Sequence, residues 1–114
     1  MEQNLDFSYN WNNKLNGKCF TTIRLHNPLK YCVGYVLTVT LKLQPRGRVK
    51  ILRVTTFTID KISDYIACLD TGYPAEECKK MLKEMYKNKR VNWNTQLLDF
   101  CLLQYIESKE PTLF

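Results

Sequence analysis

The stretch "GKCFTTIR" (residues 17–24) places Lys18, Thr22 and Arg24 at alternating positions of a segment with the two-residue period of a β-strand. Lysine supplies a point charge, threonine an orienting hydroxyl, and arginine a planar fork suited to a phosphate or a base edge. The same face equally suits a solvated outer strand surface, with Cys19, Ile23 and Leu25 turned toward the core. A second stretch, "LDTGYP" (residues 69–74), has the punctuation of a helix end and a helix start, with Gly72 for a left-handed residue and Pro74 for a first turn. That punctuation leaves Asp70 and Tyr73 unaccounted for. Spare N–H groups at a helix start suit a phosphate, and a tyrosine beside them can stack on a base. Lys79, Lys80, Lys83 and Lys87, continued by Lys89 and Arg90, form a basic row that reads as a solvated helix face or as a track for a nucleic-acid backbone.

Charge and composition bound the partners. Lys and Arg outnumber Asp and Glu 17 to 11, giving +6 overall, a surplus that favours polyanions or simply solubility. The cysteines at 19, 32, 68, 78 and 101 lack CxxC spacing, and His26 is the one histidine. This reads as free, buried thiols in a reducing cytosol rather than as a zinc site, and no metal or other cofactor is implied. The opening "MEQNLDFSYNWNN" has neither a basic nor an apolar signal region, and no apolar run has the length of a membrane span, so a cytoplasmic protein is expected. His26 and the tryptophans Trp11 and Trp93 are expected to be a loop residue and packing residues.

The elements that must carry these side chains fit one domain over 1–114, beginning with an irregular, asparagine-rich segment over 1–16. A strand follows over 19–25. Apolar residues at odd positions from Val33 to Leu43 predict a second strand, and "QPRG" (44–47) a turn into a third. That third strand loses its alternation between Ile51 and Leu52, which predicts a bulge. Asp60 is the expected cap of a helix bearing Ile62, Tyr65, Ile66 and Leu69 on one stripe, and a second helix carries Ala75, Cys78, Met81, Leu82 and Met85. "TQLLDFCLLQYI" (95–106) fits strand or helix. The order predicts an α+β fold, a curled, mostly antiparallel sheet with two helices packed over one opening.

Taken together, "NGKCFTTIR", then Val33-Gly34 and a helical insertion, resemble the ASCH domain, a family of PUA-like barrels. The likeness is greatest to a subgroup of small bacterial and phage proteins that share "FxWNxKL", "CFTTxR", "LDTGYxAEE" and "MYKNK". The matching blocks here are Phe7 (at a slightly different spacing) with Trp11–Leu15, then Cys19–Arg24, Leu69–Glu77 and Met85–Lys89. The resemblance implies an RNA- or nucleoside-binding cleft between barrel and helices, lined by Lys18, Arg24 and Tyr73 and extended by Lys79, Lys83 and Lys87. One branch of the family hydrolyses acetylated cytidine with a lysine, a threonine and a glutamate. Thr22 takes the threonine position, Cys19 the lysine position three residues earlier, and Asp70 or Thr71 the glutamate position. Lys18 stands three before Thr21, so the implied catalytic set is Lys18, Thr21 or Thr22, and Asp70. Lysine would act as base toward a threonine hydroxyl while Asp70 orients it. A plain protein-interaction domain is the third reading.

Overall fold

The computed structural model describes residues 3–108. Five strands form one sheet: β1 (Gln3–Phe7), β2 (Cys19–Leu25), β3 (Val36–Leu41), β4 (Gln44–Thr58) and β5 (Leu97–Ser108), in the order β1-β3-β4-β5-β2. Only β1 and β3 pair in parallel; the other neighbours are antiparallel. The sheet curls into a half-barrel. Helices α1 (Asp64–Thr71) and α2 (Ala75–Met85) lie between β4 and β5 in sequence, and 3-10 turns cover Trp11–Asn16 and Ile59–Lys61.

Two apolar clusters share the sheet. Side chains from all five strands, among them Leu5, Phe20, Val39, Ile51 and Leu103, fill the hollow of the half-barrel. Ile23 and Leu98, on the other face, pack against Ala67 of α1 and Cys78 and Leu82 of α2. Strands β2 and β5 thus contribute to both clusters, which accounts for apolar residues on both sides of Asp99 in the stretch 97–103 rather than a simple alternation. The ambiguous segment 95–106 is resolved as a strand from Leu97 onward.

Several expectations are corrected. Residues 3–7 are not irregular: Leu5 and Phe7 face the core in a short edge strand, too brief for its period to stand out in the sequence. "QPRG" is not the turn. Lys42 and Leu43, both at positive φ, make a two-residue hairpin, and Pro45–Gly47 lies inside β4 beside an irregular register. α1 is capped by Ser63, whose Oγ accepts from the Ile66 N–H at 3.2 Å, and Asp60 falls in the preceding 3-10 turn. Its apolar stripe is only half turned inward: Ile62 is buried and Ile66 packs on the core, but Tyr65 is 77 % and Leu69 50 % exposed, and Ala67, Asp70 and Thr71 are buried. The expected bulge is present, with the register slipping between Ile51 and Arg53.

All five cysteines are free, but only Cys78 and Cys101 are buried; Cys19 and Cys68 are exposed. Burial pushes the Cys78 thiol up from 9.0 to about 11 and the Cys101 thiol up to about 12. A raised acid stabilises the fold fully below its unfolded value, and that contribution is lost as pH rises through the folded value. Stability should therefore fall between about pH 9 and pH 12, against an opposite contribution from Lys14, whose pKa is lowered. Urea midpoints measured across that range should decline less steeply in a Cys101→Ala variant. Equal slopes in the two proteins would contradict this assignment.

Candidate functional site

The site starts with the Trp11–Asn16 turn. Asn12 and Asn13 adopt left-handed φ values of 58° and 52°, a conformation asparagine tolerates better than most residues. The Asn10 side chain accepts from the Leu15 N–H at 2.9 Å and holds the turn. Leu15 anchors in the barrel core, and Lys14 points into the space between β2 and α1. On the far side, Gly72 ends α1 at φ +82°, and a Cβ there would meet Asn12 Oδ1 at 3.2 Å. Glycine is thus required by the left-handed helix end, and the close approach of the Asn12 side chain adds to that preference.

This docking brings Lys14 Nζ to 3.0 Å from Asp70 Oδ1, with both side chains only 7 % exposed. Thr21 Oγ1 donates to the same carboxylate oxygen at 2.9 Å. Burial lowers the Lys14 pKa below 10.5; Asp70 pulls it upward, and the Arg24 charge lowers it further. A buried amine with a depressed pKa, held by a carboxylate, is equipped to carry a proton.

Lys14, Thr22, Arg24 and Asp70 line a cavity of about 40 Å³, closed by Phe7 and by Met81 and Leu82 of α2. Thr22 is 2 % exposed and its Oγ1 accepts from Arg24 Nε at 2.9 Å. The Arg24 guanidinium lies 4.5 Å from the centre of the Phe7 ring, and Lys14 Nζ lies 5.4 Å from that same centre. Tyr9 and Trp11 also border the cavity. Their rings are 4.5 Å apart, and Tyr73 stands edge-on to Trp11 at 6.2 Å, leaving Tyr9 and Tyr73 exposed as an aromatic rim.

The side chains named from the sequence divide clearly. Thr21, Thr22, Arg24 and Asp70 come together, with the threonines on opposite faces of β2 and only Thr22 facing the cavity. Lys18 does not join them: it is exposed, and the lysine that reaches Asp70 is Lys14. The Thr22–Arg24 side of β2 is no solvated outer surface; it lies on the barrel side with Phe20. Tyr73 reaches the rim through Trp11. Lys79 and Lys87 pair with Glu76 and Glu84 at 3.4 and 2.7 Å, and Lys83 is exposed. His26 is not a free loop residue: its Nδ1 lies 2.8 Å from Oδ1 of Asp99, which is 1 % exposed and also accepts from Thr56 Oγ1 and the Asn27 N–H. Among the described residues there is no cluster of metal-binding side chains, and no helix is long and apolar enough to cross a membrane.

The architecture is shared with solved structures. A DUF984-family protein from Enterococcus faecalis V583 superposes with a TM-score of 0.67 at 12 % identity, over 100 % of this chain and 87 % of that one. An ASCH domain from Lactobacillus crispatus JV V101 superposes with a TM-score of 0.62 at 14 % identity, over 84 % of this chain and 69 % of that one. The fold is of the ASCH type. In this ASCH fold the cleft between half-barrel and helices is where Lys14, Thr22, Arg24 and Asp70 meet. No family model and no curated protein matches the sequence, so at these identities the likeness is one of fold.

Proposed function

We propose that the cleft binds a nucleoside, free or within RNA, with its base against the aromatic rim. The observation that carries this reading is the pairing of a polar floor (Lys14, Thr22, Arg24, Asp70) with the Tyr9–Trp11–Tyr73 rim. Tyrosine and tryptophan offer faces on which any base can stack, and the floor offers both donors and acceptors to its edge. A cavity of about 40 Å³ has room for roughly three waters. The ring therefore stays at the rim, and only a small substituent enters. For a ligand within RNA, the lysines of α2 extend the surface, Lys83 being exposed beside the paired Lys79 and Lys87.

Titration with acetylated cytidine tests this reading through Trp11 fluorescence, isolated by Trp93→Phe. Saturable quenching that is lost in Tyr73→Ala is the expected result. A Trp11 signal indifferent to the ligand would remove the cleft from consideration.

A second reading, hydrolysis of an acylated cytidine, is favoured by the depressed Lys14 amine lining the same cavity as Thr22. Thr22 Oγ would bond to the acyl carbon while its proton passes to neutral Lys14. The ammonium so formed would protonate the departing cytidine amine as the C–N bond breaks. Water would then attack the acyl-threonine ester, giving its proton to Lys14, which would pass it to Thr22 Oγ as the C–O bond breaks and the acid leaves, with Asp70 holding the amine in place.

A further inference from the structure

Arg24 has hydrogen-bonding capacity that the site leaves unused. A guanidinium presents five N–H donors in a fixed fork. Among the described residues Arg24 donates only from Nε, to Thr22, with its Cζ over the Phe7 ring; the outer nitrogens meet no acceptor. The carboxylate paired with it across the sheet is already committed. Asp99 is the cross-strand partner of Arg24 in the β2–β5 register, yet its two oxygens serve His26, Asn27 and Thr56. Asp70 receives Lys14 and Thr21 on Oδ1, and neither of its oxygens receives Arg24.

A second cation follows β2 in the chain. Lys30, in the loop after β2, holds its Nζ 5.5 Å from the centre of the Tyr31 ring. Burial, followed by the Arg24 charge, lowers its pKa, with Asp6 acting in the opposite direction. The Asp6 carboxylate in turn accepts from Thr40 Oγ1 at 2.6 Å. Arg24 and Lys14 share the Phe7 ring and the cavity wall, and the Arg24 charge disfavours the ammonium forms of both Lys14 and Lys30. An open fork in such a cationic setting is an arrangement that an anion relieves.

We infer that the ligand is a phosphorylated nucleoside, whose phosphate is taken by the open Arg24 fork with Lys30 beside it. This rests on the nucleoside reading and adds the ligand's charge to it. The base stays at the aromatic rim, and the fork fixes the orientation of the sugar. Arg24 is the specificity-determining residue of the cleft, because it separates a nucleotide from the uncharged nucleoside.

Calorimetric titration of the full chain with cytidine, cytidine 5′-monophosphate, a cytidine dinucleotide and inorganic phosphate tests this. The monophosphate is expected to bind at least about tenfold tighter than cytidine, in keeping with a charge-assisted bidentate contact. That gain should vanish in Arg24→Gln and shrink in Lys30→Gln, a variant that leaves the cavity wall intact. Inorganic phosphate should compete with the monophosphate. A dinucleotide that binds as tightly as the monophosphate assigns the phosphate to an RNA backbone, and a weaker one assigns it to a free nucleotide. Equal affinity for cytidine and its monophosphate in the wild type overturns the phosphate site and leaves nucleoside binding standing. So does a gain that survives in both variants. Binding of none of the four overturns both readings.

Discussion

Lys14→Met is expected to cost the fold about 3–5 kcal/mol, because it leaves the Asp70 carboxylate buried without its cation. Thr21 still donates to Asp70, which favours the lower end of that range. The charge pair itself is not what holds the fold. Two ions withdrawn from water repay only part of their desolvation, so an apolar pair of similar volume should serve nearly as well. Lys14→Met combined with Asp70→Leu should therefore recover most of the loss, a coupling that urea unfolding of the two single variants and the double variant measures directly. Lys18→Met, on an exposed side chain, should stay within about 0.5 kcal/mol of wild type. A Lys18 variant as destabilised as the Lys14 variant would refute this account of the site.

That contrast marks where the sequence stopped being legible. The strand carrying Thr22 and Arg24 was plain from its period, and so was the bulge after Ile51, because alternation and its interruption are local signals. Lys14 was not. It belongs to a turn without periodicity, and its aim depends on the left-handed pair Asn12 and Asn13 and on docking against Gly72. The asparagine-rich composition was the available signal: it marks a chain able to take positive φ, and hence a tight turn rather than a slack segment. Asp70 was singled out because helix punctuation did not explain it. What α1 hides and shows misled in the opposite sense. Of its predicted stripe Ile62 and Ile66 pack inward, but Tyr65 and Leu69 face outward, while Asp70 and Thr71 are buried. A helix that buries a carboxylate and exposes a leucine is built around a site rather than for packing alone. The two-sided burial of β5 erased the alternation that would have separated strand from helix, and Asp99 in its midst is a polar clasp on the loop carrying His26.

The register question that the sequence left between Thr21 and Thr22 leads to the sharpest functional expectation. If the cleft cleaves an acyl amide, Thr22→Ala and Lys14→Met should each lower turnover of acetylated cytidine by about 10²–10⁴-fold, the range for losing a proton-transfer group. Thr22 is the threonine that lines the cavity with Lys14, whereas Thr21 serves Asp70 from the opposite face. Thr21→Ala should accordingly lose less, and Lys18→Ala should retain wild-type rates. Cys19→Lys should gain nothing, because Cys19 is exposed and shares its face of β2 with Thr21 rather than with Thr22. The pH profile supplies a readout independent of substrate affinity. The amine must be unprotonated to accept the threonine proton, so the rate should rise with pH through the lowered Lys14 pKa. Arg24 contributes to that lowering, so Arg24→Gln should move the rising limb toward higher pH, measured at saturating substrate. A limb unmoved in Arg24→Gln, or full turnover in Lys14→Met, would separate the amine from the chemistry and leave the cleft as a binding site.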